Sequence, residues 1–381
     1  MNITRSPISM ILFVLLLASC TNPTPQAVAP QPTATTSSEL VDGVDRSRLA
    51  TTLYFYNWGD YIDPGLLEQF EAEYGVKVVN DFFGSIEEMV AKVRTRTSGY
   101  DIVVPSPDIV QTLAGENLLQ PIDKTLLANL RHLDPNYLNP YFDPDNTYSI
   151  PYMFGMTGIA YNSEFFPQGV TSWAALFDPA AIAAYQNQFS MLDDERETPG
   201  AALRFLGFSY NSTMPEELAQ AQALLIAQKP FLAAYTSADV NRKLASGEYV
   251  IAHCWNGTAM QARLGIAGEF SGNPAINFVV PEEGGAIWMD NLVILSESSN
   301  SYTAHVFINF LLRPDIAAQN ADYIGYATPN QAALPLISAE VQALYAAGFA
   351  PDDAMHNRLE WIKLTDDTGI FSDLWTVVKG E

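Results

Sequence analysis

From residue 53 onward the pattern of apolar and polar positions alternates between short strand-like runs and stretches with helical spacing, which predicts an α/β chain with a largely parallel sheet. The run LYFYNW at 53–58 is a short aromatic-rich strand. Asp63 then stands as an N-cap before Pro64, whose missing N–H costs nothing in a first helical turn. Leu66, Leu67, Phe70 and Tyr74 follow at helical spacing, and Gly75 closes the helix. The next strand is expected over 76–79. Ser85 and Glu88 form a capping box that opens a helix with Met89, Val90 and Val93 on one face, and 101–104 is a third, buried strand.

The character of the chain changes near Pro151, where a second lobe is expected to begin. TSWAALF predicts a helix, Thr213 with Glu216 opens a long helix running through Leu224, and EYVIAHCW is a strand ending at Trp255. GGAIWMDNLVIL at 284–295 is a glycine-led connection into a strand, and AHVFINFLL at 304–312 is a buried helix stopped by Arg313 and Pro314.

The first residues read differently. Arg5 precedes an apolar run too short to span a bilayer, and the run ends in LASC at 17–20, so residues 1–19 are expected to be an export signal. A small-residue pair before Cys20 resembles a bacterial lipobox, which implies cleavage before Cys20 and its lipidation. The stretch that follows, to about residue 50, is rich in Pro, Thr, Ser and Ala and lacks aromatics, so it cannot bury enough apolar surface to fold and reads as a tether. Cys254 is then the one thiol of the mature chain, which leaves no disulfide framework and no cysteine metal cluster.

Forty-three acidic against nineteen basic residues give a net charge of −24, a field that repels nucleic acid and anionic lipid heads. The four histidines show no ligand spacing, so no metal site is expected. There is no nucleophile elbow, phosphate-cradling glycine loop or zinc signature, so neither catalysis nor a cofactor is expected. Asp143 and Asp145 in DPDNTY read as a turn, since a calcium loop's glycine and distal glutamate are missing.

In open parallel sheets, ligands sit beyond the carboxyl ends of the strands. That rule selects Trp58, Asp60 and Tyr61 after the first strand, Ser106 and Asp108 after the third, Trp255 after the later strand, and Trp288 with Asp290 before the glycine-led return strand. Asp194, Glu197 and Tyr326 complete the set. Arg196 is the one basic residue among these positions, and acids flank it. Carboxylates take charge-assisted hydrogen bonds from ammonium groups, each about 1.5–3 kcal/mol, and aromatic faces attract the same cations by about 0.5–2 kcal/mol. A linear diamine or triamine, with cationic ends and an apolar stem, satisfies both. Read singly, each aromatic could equally be core or rim, and the DDERE carboxylates could be a solvated face.

The phrases LYFYNWGDYIDPGLLEQFEAEYGVKV, YDIVVPS, LDPNYLNPYFDPDNTYSIPYMFG, TSWAALF, WNGTA, PEEGGAIWMDNLVI, INFLLRPD and IGYATPN, in that order, resemble the periplasmic spermidine/putrescine-binding proteins of the type II solute-binding class. The resemblance implies a two-lobed type II periplasmic-binding-protein fold, each lobe a mixed, mostly parallel sheet flanked by helices. Residues 51–155 plus 290–334 would form lobe 1 and 156–289 plus 335–381 lobe 2, with crossover strands near 151–155 and 288–291 as a hinge. It further implies a monomeric, non-enzymatic lipoprotein outside the cytoplasmic membrane that delivers a polyamine to an ABC permease driven by a cytoplasmic ATPase; another cationic or small organic solute on the same fold is the alternative. Carried over by position, acidic ligands fall on Asp60, Asp194, Glu197 and Asp290, the aromatic box on Trp58, Tyr61, Trp255, Trp288 and Tyr326, and a polar contact on Ser106. Gly59, Asp108 and Ile362 depart from the family's pattern.

Overall fold

The computed structural model describes residues 40–41, 43–351, 355, 357–363 and 369–380. The expected export signal, Cys20 and most of the tether lie outside the described residues. Among the described residues no helix is long and apolar enough to cross a membrane.

Ten strands form the main sheet: β1 (Thr52–Trp58), β2 (Lys77–Phe83), β3 (Ile102–Val103), β4 (Ser149–Asn162), β5 (Phe189–Met191), β6 (Ala234–Tyr235), β7 (Ile251–Trp255), β8 (Ile276–Val279), β9 (Gly285–Ile294) and β10 (Leu359–Trp361). Their order is β2-β1-β3-β9-β4-β7-β5-β6, with β8 on β4 and β10 on β9. Two parallel sets, β1 with β2 and β3, and β5 with β6 and β7, are therefore joined through two long antiparallel strands. The first half of β4 pairs with β9, from Ser149 opposite Val293 to Met156 opposite Ile287, and its second half pairs with β7 and β8. The expected crossovers are where these two strands run side by side, Trp288 opposite Gly155 and Asn291 opposite Pro151, with a register shift between Asp290 and Asn291. A bulge there re-aims side chains on either side of it.

The helices that cover the sheet are set by their caps. In α1 (Pro64–Tyr74), Asp63 Oδ1 accepts from Gly65 N at 2.8 Å and Gly75 takes the left-handed conformation, φ 72°, as expected. In α2 (Ile86–Arg94), Ser85 Oγ accepts from Glu88 N, while Met89, Val90 and Val93 are buried. The Glu88 carboxylate reaches back to Gly84 N, one residue before its capping-box position. Helix α3 (Pro107–Gly115) follows the two-residue β3 after Val104, Pro105 and Ser106, and Pro105 has no N–H to offer a ladder.

Further on come α4 (Glu197–Phe205), α5 (Pro215–Gln228), α6 (Val240–Ser246), α7 (Asn256–Leu264), α8 (Ser301–Leu311) and α9 (Pro314–Ile324). Two expectations shift. The helix foreseen from Thr213 is capped at Met214 and begins at Pro215, so Thr213 caps nothing. TSWAALF gives a single turn, Ala174–Phe177, because Asp178 and Pro179 restart the chain. Its Trp173 is fully buried and donates from Nε1 to Gly284 O at 2.7 Å. Asp143 organises a turn, accepting from the backbone N of Thr147, Tyr148 and Ser149 and from Ser149 Oγ. One core forms around Phe55, Phe70 and Phe307, and another around Trp173, Phe177 and Phe189.

Candidate functional site

Each parallel strand sends its carboxyl end toward one cleft of about 440 Å³. All eleven residues selected from the sequence line it: Trp58, Asp60, Tyr61, Ser106, Asp108, Asp194, Glu197, Trp255, Trp288, Asp290 and Tyr326. Gly59 and Ile362 line it too. Among the described residues eight acidic residues and two arginines line the cleft, and no lysine does.

Aromatic rings form its walls. Trp58, at the end of β1, donates to Val104 O at 3.1 Å and packs on Phe83, with ring centroids 4.4 Å apart. It meets Trp255, at the end of β7, edge-on at 6.3 Å. Tyr326 lies between Tyr61 and Trp288, 5.2 Å from each ring and tilted against both. Two glycines make room for this box. A Cβ on Gly155 would come within 2.6 Å of the Trp288 ring, and one on Gly257 within 2.5 Å of the Tyr326 ring. Asn256 fixes the start of α7 against β4, accepting from Met156 N at 2.9 Å and donating to Phe349 O at 2.8 Å.

The acids are held in different ways. Glu197 is buried, and its Oε1 accepts from Thr157 Oγ1 at 2.8 Å and Trp255 Nε1 at 3.0 Å while Oε2 accepts from Tyr210. Asp194 Oδ1 accepts from the backbone N of Arg196 and Glu197, at 2.8 and 2.9 Å, at the entry to α4. Within the DDERE run Glu197 is thus buried, while the four residues before it stay part-exposed. Asp290 is buried; the Tyr61 hydroxyl faces it without a well-formed hydrogen bond. Ser106 Oγ donates to Asp108 Oδ1 at 2.7 Å.

Burial penalises the charged forms. Asp290 is pushed up to about 7, by burial first and then by the Asp108 and Glu197 charges, against the Tyr61 hydroxyl. Glu197 is raised by burial and then by Asp194, despite its three donors. Asp194 is raised by burial, with Glu87 and Asp108 adding repulsion against its two backbone donors. A cleft in which acids outnumber basic groups and ring faces form the edge is suited to organic cations.

The sequence reading missed several lining groups: Phe83, Glu87, Asn241, Arg242, Thr258 and Gln261. Arg242 corrects the expectation that Arg196 is the one basic group there. Arg196 itself points to the C-terminal segment, donating to Lys363 O at 2.9 Å and Asn211 Oδ1 at 3.1 Å and lying 4.2 Å over Phe371. Among the described residues no three His, Cys, Asp or Glu side chains are grouped to hold a metal. His253 is fully buried, and that burial holds it neutral, down to about 3.

A two-set α/β sheet with a ligand-sized cleft at its junction is the architecture of a solute receptor. Residues 65–348 match the model of the bacterial extracellular solute-binding proteins, and the chain belongs to that family. It is 42% identical over 334 residues to the spermidine/putrescine-binding periplasmic protein of Salmonella typhimurium, covering 86% of this chain and 91% of that one. It is 36% identical over 346 residues to the putrescine/cadaverine-binding protein of Pseudomonas aeruginosa, covering 89% and 97%. A solved structure described as a putative spermidine/putrescine ABC transporter from Listeria monocytogenes superposes with a TM-score of 0.79 at 37% identity, covering 87% of this chain and 99% of that one.

Proposed function

We propose that this chain is the exported receptor of a polyamine ABC importer, binding spermidine or putrescine between two lobes and handing it to a membrane permease. One observation carries the reading: eight carboxylates and an aromatic box converge on a single cleft that no lysine enters. Asp290, Asp194 and Glu197 supply charge to the ammonium groups, and Trp58, Trp255, Trp288 and Tyr326 cover the methylenes.

Residues 51–155 with 290–334 act as one lobe and 156–289 with 335–381 as the other, turning about the paired stretch of β4 and β9 as the ligand is enclosed. The receptor works as a monomer, without cofactor or catalysis, and is tethered outside the cytoplasmic membrane by a lipid on Cys20. The names of the relatives and the acid-rich cleft both support a polyamine over other solutes. Thermal unfolding with a panel of polyamines, amino acids and sugars tests it. A polyamine at a hundred times its Kd should stabilise the fold by about 2.7 kcal/mol. Stabilisation by another class alone would replace the reading.

A further inference from the structure

The two oxygens of Glu197 are not equivalent. Its Oε1 accepts from Thr157 Oγ1 at 2.8 Å and from the Trp255 indole N–H at 3.0 Å, and an indole only donates. Any proton on this carboxyl therefore belongs on Oε2, whose bonding partner is the Tyr210 hydroxyl. The same hydroxyl lies 2.8 Å from the main-chain O of Glu197. A phenol both donates and accepts, so Tyr210 serves either form of the acid. It donates to Oε2 when Glu197 is ionised. When Oε2 carries a proton, Oε2 donates to the phenol oxygen, and the phenol O–H turns to the main-chain O. Burial and then the Glu197 charge hold the phenol well above its ordinary range, so its own proton stays.

Tyr210 does not line the cleft, and its ring is fixed behind the wall. It is fully buried against Ala286 of β9 and Ile362, over Gly200 of α4, where a Cβ would have no room. Its backbone N donates to Glu360 Oε1 at 3.2 Å, and Glu360 is paired with Arg204. Resting on the polyamine reading above, we propose that Tyr210 is a positioning residue: from outside the cleft it holds the Glu197 carboxyl group in one orientation whether or not that group carries a proton. In the empty cleft, burial and then the Asp194 charge favour the neutral acid, and Asp290 on β9 adds a further negative charge. Arg196 turns away to Lys363 O and Asn211. A bound cation favours the carboxylate. The Tyr210 bond is stronger to the carboxylate than to the neutral acid, so losing it makes Glu197 harder to ionise. Binding then suffers most at a pH where Glu197 starts out neutral.

The test is calorimetric titration of spermidine and putrescine, at about pH 6.5 and about pH 9, into the wild type, Tyr210→Phe, Glu197→Gln and the double variant. Tyr210→Phe keeps the ring and its packing and loses only the hydroxyl. It should weaken polyamine binding about fivefold at the lower pH and less than about twofold at the higher. In the Glu197→Gln background it should change affinity less than about twofold at either pH, because its effect runs through the carboxyl. Equal losses at both pH values, a lower Tm with unchanged Kd, or a loss that adds to that of Glu197→Gln overturns the role of Tyr210. Should Tyr210→Phe not fold, 3-fluorotyrosine at position 210 keeps the hydroxyl as a stronger donor. It should move the rise of affinity with pH to lower pH, and an unmoved rise or one moved upward overturns the role. A wild type that binds neither polyamine at either pH overturns the polyamine reading itself, and this proposal with it.

Discussion

The indole nitrogen of Trp255 donates to Oε1 of Glu197 at 3.0 Å, joining the aromatic end of β7 to the acid at the start of α4. The same oxygen takes a second bond from Thr157 on β4, so three chain segments fix one carboxylate in the cleft wall. Rings and acids here are one unit, and substituting either should disturb both.

Glu197→Gln should cost affinity with little loss of stability. An amide oxygen can serve the Trp255 and Thr157 donors, and its NH2 can donate to the Tyr210 hydroxyl, which keeps its bond to Glu197 O at 2.8 Å. A fall in polyamine affinity of about tenfold, with a nearly unchanged Tm, is expected from calorimetry and thermal unfolding. Unchanged affinity would mean Glu197 only braces the wall.

Asp290→Asn should move stability and affinity in opposite directions. The buried carboxylate has no strong protein partner, and a carboxyl raised to about 7 from about 3.9 costs on the order of 4 kcal/mol when ionised at pH 8. The amide removes that cost, so the unliganded variant should melt higher at pH 8 while binding polyamine at least tenfold more weakly. A variant less stable than wild type at pH 8 would show that Asp290 holds the fold.

The pH dependence follows with a definite sign. Asp290, Asp194 and Glu197 are all raised, so in the unliganded chain their contribution is full below about pH 4 and is lost as pH rises through the folded values, about 7 for Asp290. His253, lowered to about 3 by burial, works oppositely, giving stability above about 6.5 that is lost as pH falls. The Tm difference between wild type and Asp290→Asn isolates the acid part and should widen from pH 5 to pH 8. Binding an ammonium ion ionises the acids, so affinity should rise over that range and protons should be released near pH 6–7. Titrations in buffers of different ionisation enthalpy would detect the release; none would contradict the assignment.

Trp288 packs edge-on against Tyr326 at 5.2 Å, and its buried Nε1 has no hydrogen-bond partner among the described residues. Trp288→Phe keeps a ring face and loses only an unpaired donor. It should weaken binding less than Trp288→Ala, by about a factor of five or more in Kd. Equal losses would make the indole a packing element.

Most of this site was legible because parallel strands end where ligands bind, so Trp58, Ser106 and Trp255 could be picked from strand ends alone. Trp288 and Asp290 were placed by the same rule just before a strand, whereas they lie within β9 and reach the cleft because it runs beside β4. Arg242 was missed although it follows β6 by the same rule. That strand is two residues long, too short to leave a period-two signal, and α6 starts from a left-handed Asp239 without a side-chain cap. The burial of Glu197 was also hidden. A run of charges reads as a solvated face until Thr157, Trp255 and Tyr210, distant in the chain, close over it.

The central claim is that converging acids and rings bind an elongated organic polycation. Calorimetric titration of spermidine and putrescine into the exported chain at pH 8 tests it most directly. Saturable binding of one polyamine per chain is expected, weakened at least tenfold by Asp290→Asn. Absence of heat and of any Tm shift at millimolar polyamine would contradict it.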